Sequence, residues 1–423
     1  MTLNIHPDEI VAQSDSRLLA IAPHWSRIRL SEIAEVQNGY AFRSSQFSKD
    51  RGIPLIRIRD VGKDETDINF FGDYDERYIV DPGDIVVGMD GDFRAARWKG
   101  PRALLNQRVC RILPRDPDRY DENFMLYALP GYLAAIHEYT SSVTVKHLSS
   151  RTIEEIPLPC APRPEQEAIV GEIEKQFTRL DAAVASLRRV RANLKRYRLA
   201  VTRAAVQGPS KTADETKWTH TTVEKIGDSE EQVVLTGPFG TALGRSDFLP
   251  EGIPVLTIGC LTDQGIDLAK AKFVSTRKAK ALERYSLRQG DLLFSRMATV
   301  GVAGLVTDRE VGAIANYHLM RLRLNSNEVV SAYFVHYVRG SPIVRNYLRE
   351  VNHGATRDGI NSKQLLSLPV LLPPIEEQGE IVKELDRRLS IINELEREVE
   401  AGLKRAARFR QSVLSAAFTG GLV

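Results

Sequence analysis

The chain repeats itself. Sliding the sequence by 212 residues aligns 144–208 with 356–420 without a gap, and 15 of the 65 positions are identical, against about 4 expected from ordinary residue frequencies. The identities include Thr144/Thr356, Ser150/Ser362, Pro157/Pro369, Pro162/Pro374, Gln166/Gln378, Arg198/Arg410 and Gly208/Gly420. Upstream the copies match loosely: "GIPLIRI" at 52–58 pairs with "GIPVLTI" at 252–258, "PGDIVVG" at 82–88 with "QGDLLFS" at 289–295, and "LNQRVCRI" at 105–112 with "ANYHLMRL" at 315–322. These β-rich runs are bounded by Gly, Pro and Asp turns, Gly83-Asp84 and Gly290-Asp291 among them, as strands of a globular unit should be. Any fold must therefore contain two related units, each with a variable part and a faithful part.

The faithful part predicts a long helix. Apolar residues spaced three and four apart run Ile173, Gln176, Leu180, Ala183, Leu187, Val190, Leu194, Tyr197, Val201, Ala204, and in the copy Leu385, Arg388, Ile392, Leu395, Val399, Gly402, Ala406, Phe409, Val413, Ala416. That is a heptad seam. Prolines 162 and 164, and 373 and 374, punctuate the helix starts; acidic Glu165, Glu376 and Glu377 suit the positive end of the dipole, and Gly208 and Gly420 stand where a C-cap belongs. Each helix should span about 40 residues, or about 60 Å.

So narrow a seam needs a cover, and the other copy can supply it. A compact unit of the intervening length has a diameter of about 40 Å, too short to carry the chain back along a parallel partner. Antiparallel pairing is expected, with Arg188, Arg189, Arg191, Lys195 and Arg196 facing Glu394, Glu396, Glu398 and Glu400. Ile169, Phe177, Val184, Leu199, Ile381, Leu389, Ile391 and Leu414 fall off this seam and read as apolar surface for other chains.

Little in the chain suggests catalysis. It has no GxxxxGK[ST] phosphate loop and no GxGxxG after a strand. Its histidines lack metal-ligand spacing, so no metal site is expected. Glu215-Thr216-Lys217 has no accompanying carboxylates to make a nuclease centre. Cys110, Cys160 and Cys260 lie too far apart for a zinc knuckle and read as packing residues. No apolar run reaches membrane-spanning length and the N-terminal stretch has no leader pattern, so a cytoplasmic protein is expected.

With a net charge of only +3, any nucleic-acid signal must be local. "DFRAARWKGPR" at 92–102 gathers Arg94, Arg97, Lys99 and Arg102 around Trp98, a mix suited to phosphate contact and groove insertion; Arg43, Lys49 and Arg51 surround Phe47. The second copy offers Arg245, Arg277, Lys278, Lys280, Arg284 and Arg296, with Arg357 and Lys363 near the helix start. These are the candidate DNA contacts.

At the duplicated Pro-x-x-Glu-Gln phrase, "LPPIEEQGEIV" at 372–382 and the divergent "LPCAPRPEQEAIV" at 158–170, the sequence resembles the specificity subunit of type I restriction-modification systems. The resemblance implies an α+β chain: a target recognition domain over 1–158, a long helix over 159–208, a second recognition domain over 209–370 and a second helix over 371–423. The helices would form an antiparallel coiled coil through Ile173, Leu180, Leu187, Leu194, Leu385, Ile392, Leu395 and Val399. It further implies that the chain is not itself an enzyme. Its partners would be double-stranded DNA, two methyltransferase subunits and, where cleavage accompanies methylation, restriction subunits. S-adenosylmethionine, ATP and Mg would be held by those partners and no cofactor by this chain. The alternatives are a freestanding two-site DNA-binding regulator and a specificity subunit of a methyltransferase-only complex.

Overall fold

A computed structural model describes residues 6–140, 147–208, 218–297, 301–352 and 359–422. The chain divides into two compact units, one made of 1–186 with 402–423 and the other of 187–401. The two units share their main sheets and the order of the strands that build them; among the described residues helix Pro7–Gln13 occurs in the first alone, and the hairpin of Leu261–Thr262 with Gly265–Ile266 in the second alone.

In the first unit, strand Val109–Pro114 lies antiparallel between Ala34–Asn38 and Ile85–Gly88, with Ala95–Arg97 at the edge. In the second, Leu319–Leu322 lies between Val234–Thr236 and Leu292–Ser295, with Ala303–Leu305 at the edge. The strands bury residues on both faces: Ile85, Val86 and Val87 in one copy and Leu292, Leu293 and Phe294 in the other have almost no exposure. A second, mixed sheet of short strands, five in the first unit and four in the second, is interleaved with the four-stranded sheet along the chain and contains one parallel pairing, Leu55 with Leu104 or Val255 with Ile314. The loose repeats "GIPLIRI" and "GIPVLTI" supply the strands Ile53–Ile56 and Ile253–Leu256 of these pairings.

The proline-punctuated phrase forms a short edge strand, Pro157–Cys160 or Pro369–Leu372. Among the described residues its only strand partner is Ser26–Arg29 or Thr219–Thr222, a two-stranded arrangement that tolerates prolines. Long helices follow, Arg163–Val206 and Ile375–Phe418. Each starts directly after Pro162 or Pro374, whose carbonyl accepts from the N–H of Gln166 or Gln378 at 3.0 Å. Each is followed by a glycine in the left-handed region, Gly208 at φ +80° and Gly420 at φ +79°, where a Cβ would be strained.

The repeated glutamine explains the repeated phrase. Gln166 and Gln378 are both 0% exposed. Gln166 Nε2 donates to the carbonyls of Ala161 at 2.7 Å and Arg119 at 3.3 Å, while its Oε1 accepts from Asp121 N–H at 2.7 Å. Gln378 does the same with Pro373 and Glu328 at 2.9 Å each and Val330 N–H at 2.8 Å. A buried amide can persist only with its donors and acceptors matched, and this one ties the helix start to the loop leading into the neighbouring helix.

Within each unit a stretch of one long helix lies against a stretch of the other. In the second unit Arg191 pairs with Glu400 at 3.6 Å, and Arg198 with Glu396 at 2.7 Å and with Asn393. Moving seven residues along one helix moves seven back along the other, so the pairing is antiparallel. In the first unit Arg410 reaches Asp181 and lies 4.1 Å over the Phe177 ring. The 212-residue offset carries the Arg198–Asn393 pair onto Arg410–Asp181, a pseudo-twofold relation.

The seam differs from the sequence reading in one respect. Ile173, Leu194, Leu385, Ile392 and Val399 are buried and Leu180 and Leu187 half-buried, but Leu395 is 47% exposed. The second seam position falls four residues after the first, not three, so the seam holds Phe177, Val184, Arg198 and Ala205, and Leu389, Glu396, Leu403 and Ala417. Phe177 is thus a seam residue, and Ile169 and Leu414 are buried with it in the core of the first unit, correcting their reading as free apolar surface. Leu199 and Ile391 remain exposed.

Candidate nucleic-acid interface

At one end of the four-stranded sheet, three chain segments meet in the same way in each unit. In the first, Met89 N–H donates to the Arg108 carbonyl at 2.9 Å and Leu148 N–H to the Met89 carbonyl at 2.7 Å. In the second, Arg296 N–H donates to the His318 carbonyl at 3.1 Å and Ile360 N–H to the Arg296 carbonyl at 2.8 Å. A glycine passes each junction, Gly39 or Gly237, because a Cβ there would come within 2.1 Å of the Asn106 oxygen or 2.2 Å of the Ala315 oxygen.

The side chains around these junctions differ. In the first unit Arg108 is held in the left-handed region at φ +68° and pairs with Asp90 at 3.0 Å, which also meets His147 at 2.7 Å. Arg59, Arg94 and Arg108 line a recess of about 510 Å3 with Asp90 and Asp92. A left-handed non-glycine backbone is strained, which marks Arg108 as a candidate for a functional position. In the second unit Phe239, 55% exposed, lies 5.9 Å from Tyr317 and 5.4 Å from the Arg296 guanidinium, and Tyr317 lies 3.8 Å from His318. Burial first, and the Arg296 charge second, hold the His318 pKa below its ordinary value and so favour the neutral ring. Cationic and aromatic groups with unmet polar atoms, Arg296 Nε and His318 Nδ1, can bind phosphate and base edges.

The candidates from sequence distribute unevenly. Arg43, Lys49 and Arg51 are exposed beside the mixed sheet, Arg51 stacking 4.1 Å over Phe71. Arg94, Lys99 and Arg102 are exposed near the edge strand, and Arg102 meets Asp81 at 3.4 Å. Arg97 instead holds that strand to helix Glu122–Thr140 through Glu122 at 3.2 Å and Asn123 at 2.7 Å. Trp98 is 1% exposed with its indole N–H donating to the Pro101 carbonyl at 2.7 Å, so it packs in the core and does not insert into a groove. Arg245 and Arg277 are exposed, Lys278 pairs with Asp247 at 3.1 Å, and Arg296 sits at the junction just described. Arg357, Glu215 and Lys217 lie outside the described residues. Sequence reasoning missed Arg108, Phe239, Tyr317 and His318. The match of "LNQRVCRI" with "ANYHLMRL" already set Arg108 opposite His318, which was the available signal.

The profile of the type I restriction modification DNA specificity domain matches residues 23–194 and 245–405. The chain belongs to this family. It is 34% identical over its whole length to the type I restriction enzyme EcoBI specificity subunit of Escherichia coli, covering 91% of that protein, and 26% identical over 94% of its length to the EcoKI specificity subunit of strain K12, covering 89%. A solved chain from work on assembly and conformational transition of the type I R-M system matches 95% of this chain and all of its own length, at TM-score 0.66 and 16% identity. At that identity the likeness is one of fold. As a family member the chain is a non-catalytic DNA specificity subunit. Among the described residues no group of three or more His, Cys, Asp or Glu could hold a metal ion, and no helix is long and apolar enough to cross a membrane.

Proposed function

We propose that each unit reads one half of a bipartite DNA target, that the paired helices set the spacer between the halves, and that two methyltransferase subunits dock on the helices. Adenine methylation, with its S-adenosylmethionine, then belongs to those partners, as do ATP, Mg and cleavage where restriction subunits join. The recognition domains are taken as 1–158 and 209–370, with the contacts drawn from Arg43, Lys49, Arg51, Arg94, Lys99, Arg102, Arg245, Arg277, Lys278, Arg296 and Arg357.

The supporting observation is the pair of equivalent junctions with unlike side chains, Asp90-Arg108-His147 in one copy and Phe239-Arg296-Tyr317-His318 in the other. One scaffold bearing two different sets of donors and aromatics is what reading two different half-sites requires. Docking is supported by Val190, Tyr197, Leu199, Ile391 and Leu395, large apolar residues exposed along the helices of the second unit.

The test is replacement of residues 20–150 by those of a relative, with mapping of methylated adenines in host DNA. Exchange of one half-site alone is expected; alteration of both halves would contradict independent readers. A chain that is sequence-specific and fails to copurify with methyltransferase subunits would favour the freestanding regulator.

A further inference from the structure

The two copies treat one arginine differently. Arg111 and Arg321 occupy equivalent places on the central strand of the four-stranded sheet, paired across from Gln37 in the first unit and Leu235 in the second. In the first unit the guanidinium of Arg111 is fully engaged. It donates to Gln37 Oε1 at 2.6 and 3.1 Å, to Asp84 at 2.9 Å, and to the carbonyls of Ile79 at 2.5 Å and Arg77 at 3.3 Å.

In the second unit Arg321 does not engage a matching set of acceptors. Leu235 stands where Gln37 stood. Asp291, the counterpart of Asp84, is taken by Arg323 at 2.7 and 3.2 Å, and Arg323 replaces an apolar Leu113 two residues along the same strand face. Arg321 keeps a single bond, to the Gln232 carbonyl at 3.3 Å, and its Nε has no partner although the residue is 5% exposed. Burial and the neighbouring Arg323 charge lower its pKa. A cavity of about 410 Å3 opens beside it, lined by Arg284, Arg288, Arg321 and Arg323 against Glu231 and Glu283. Glu231 is committed to Arg288 at 2.6 Å and to Arg323, whereas Arg284 donates only to the neutral Gln232 side chain at 3.0 Å. The recess thus holds two guanidinia, Arg284 and Arg321, with no carboxylate bound to them.

We propose that this recess binds a phosphate-sized oxyanion through Arg321 and Arg284, at the place that Gln37 closes in the first unit. Two guanidinium forks in a partly dehydrated hollow match an oxyanion's lone pairs, and a buried donor without an acceptor is a liability that such a ligand removes. The oxyanion has two sources, a free phosphate or a phosphate of the DNA backbone, and the site does not depend on how the junctions read DNA.

The experiment titrates the full chain calorimetrically with inorganic phosphate at constant ionic strength, in the wild type, Leu235→Gln and Arg284→Gln. Leu235→Gln installs the first unit's own acceptor and should fold as Gln37 does. Saturable one-site binding is expected in the wild type and binding at least tenfold weaker in both variants. Absence of saturable binding in the wild type, or equal affinity in all three, overturns the proposal. If Leu235→Gln does not fold, the exposed Arg284→Gln variant decides alone, unchanged affinity being fatal. Duplex binding across a salt series then names the source. A salt slope smaller by about 1 in the variants assigns the site to a backbone phosphate, and an unchanged slope assigns it to a free anion.

Discussion

Gln166 and Gln378 each serve three backbone groups from a fully buried position, so replacing either with Ala strands all three. Gln166→Ala and Gln378→Ala should each destabilise the unit that contains them by about 2–3 kcal/mol. Denaturant unfolding followed separately for each unit would show a shift in only the unit altered. Arg108 is a different kind of residue, an exposed side chain on a left-handed backbone whose carbonyl accepts from Met89 N–H. Arg108→Gly should change stability by less than about 1 kcal/mol, relief of the strain offsetting the added chain entropy. It should weaken binding of target DNA by about tenfold, as loss of a 1–3 kcal/mol base contact would. A stability loss with unchanged DNA affinity would make Arg108 structural. Trp98 illustrates why residue roles are hard to read from sequence. Its basic neighbours are exposed on the same segment, yet the indole turns inward because the Pro101 carbonyl satisfies its N–H there.

In the long helices the periodicity was legible and its phase was not. Positions 173, 180, 187 and 194 belong to the seam whether the intervening step is three or four, and the choice rotates the second ridge by roughly 100°. Counting apolar residues favours Val190 and Tyr197 over Arg191 and Arg198. Arg198 nevertheless occupies the seam because Asn393 and Glu396 of the opposing helix receive it, a compensation visible only once the helices are paired. Ile392→Ala should therefore destabilise the second unit by about 2–5 kcal/mol, while Leu395→Lys should leave its unfolding midpoint unchanged within about 0.5 kcal/mol and reduce recovery of methyltransferase subunits in copurification. Equal stability losses would restore Leu395 to the seam.

At the scale of the whole molecule, a seam that repeats every seven residues restricts how the paired helices can be lengthened. Inserting seven residues after Leu187 and seven after Val399 keeps the phase and adds about 10 Å of helix. The preferred spacer should then grow by about 3 base pairs at 3.4 Å each, with both half-sites unchanged, as read from methylation maps. Inserting four residues shifts the seam by half a heptad and should lower stability before it alters the spacer. A seven-residue insertion that leaves the spacer as it was would remove the helices from spacer measurement.

Duplication, the two long helices with their proline starts and glycine ends, their antiparallel sense and the family itself followed from the sequence alone. Each depends on local spacing or on comparing the chain with itself. Which basic residues are spent inside the fold, as Arg97 is on Glu122 and Asn123, and which meet at the junctions, as Arg108 and Arg296 do, only the tertiary structure decided. A side chain's partners come from segments distant in sequence, and a charge has no fixed role until those partners are in place.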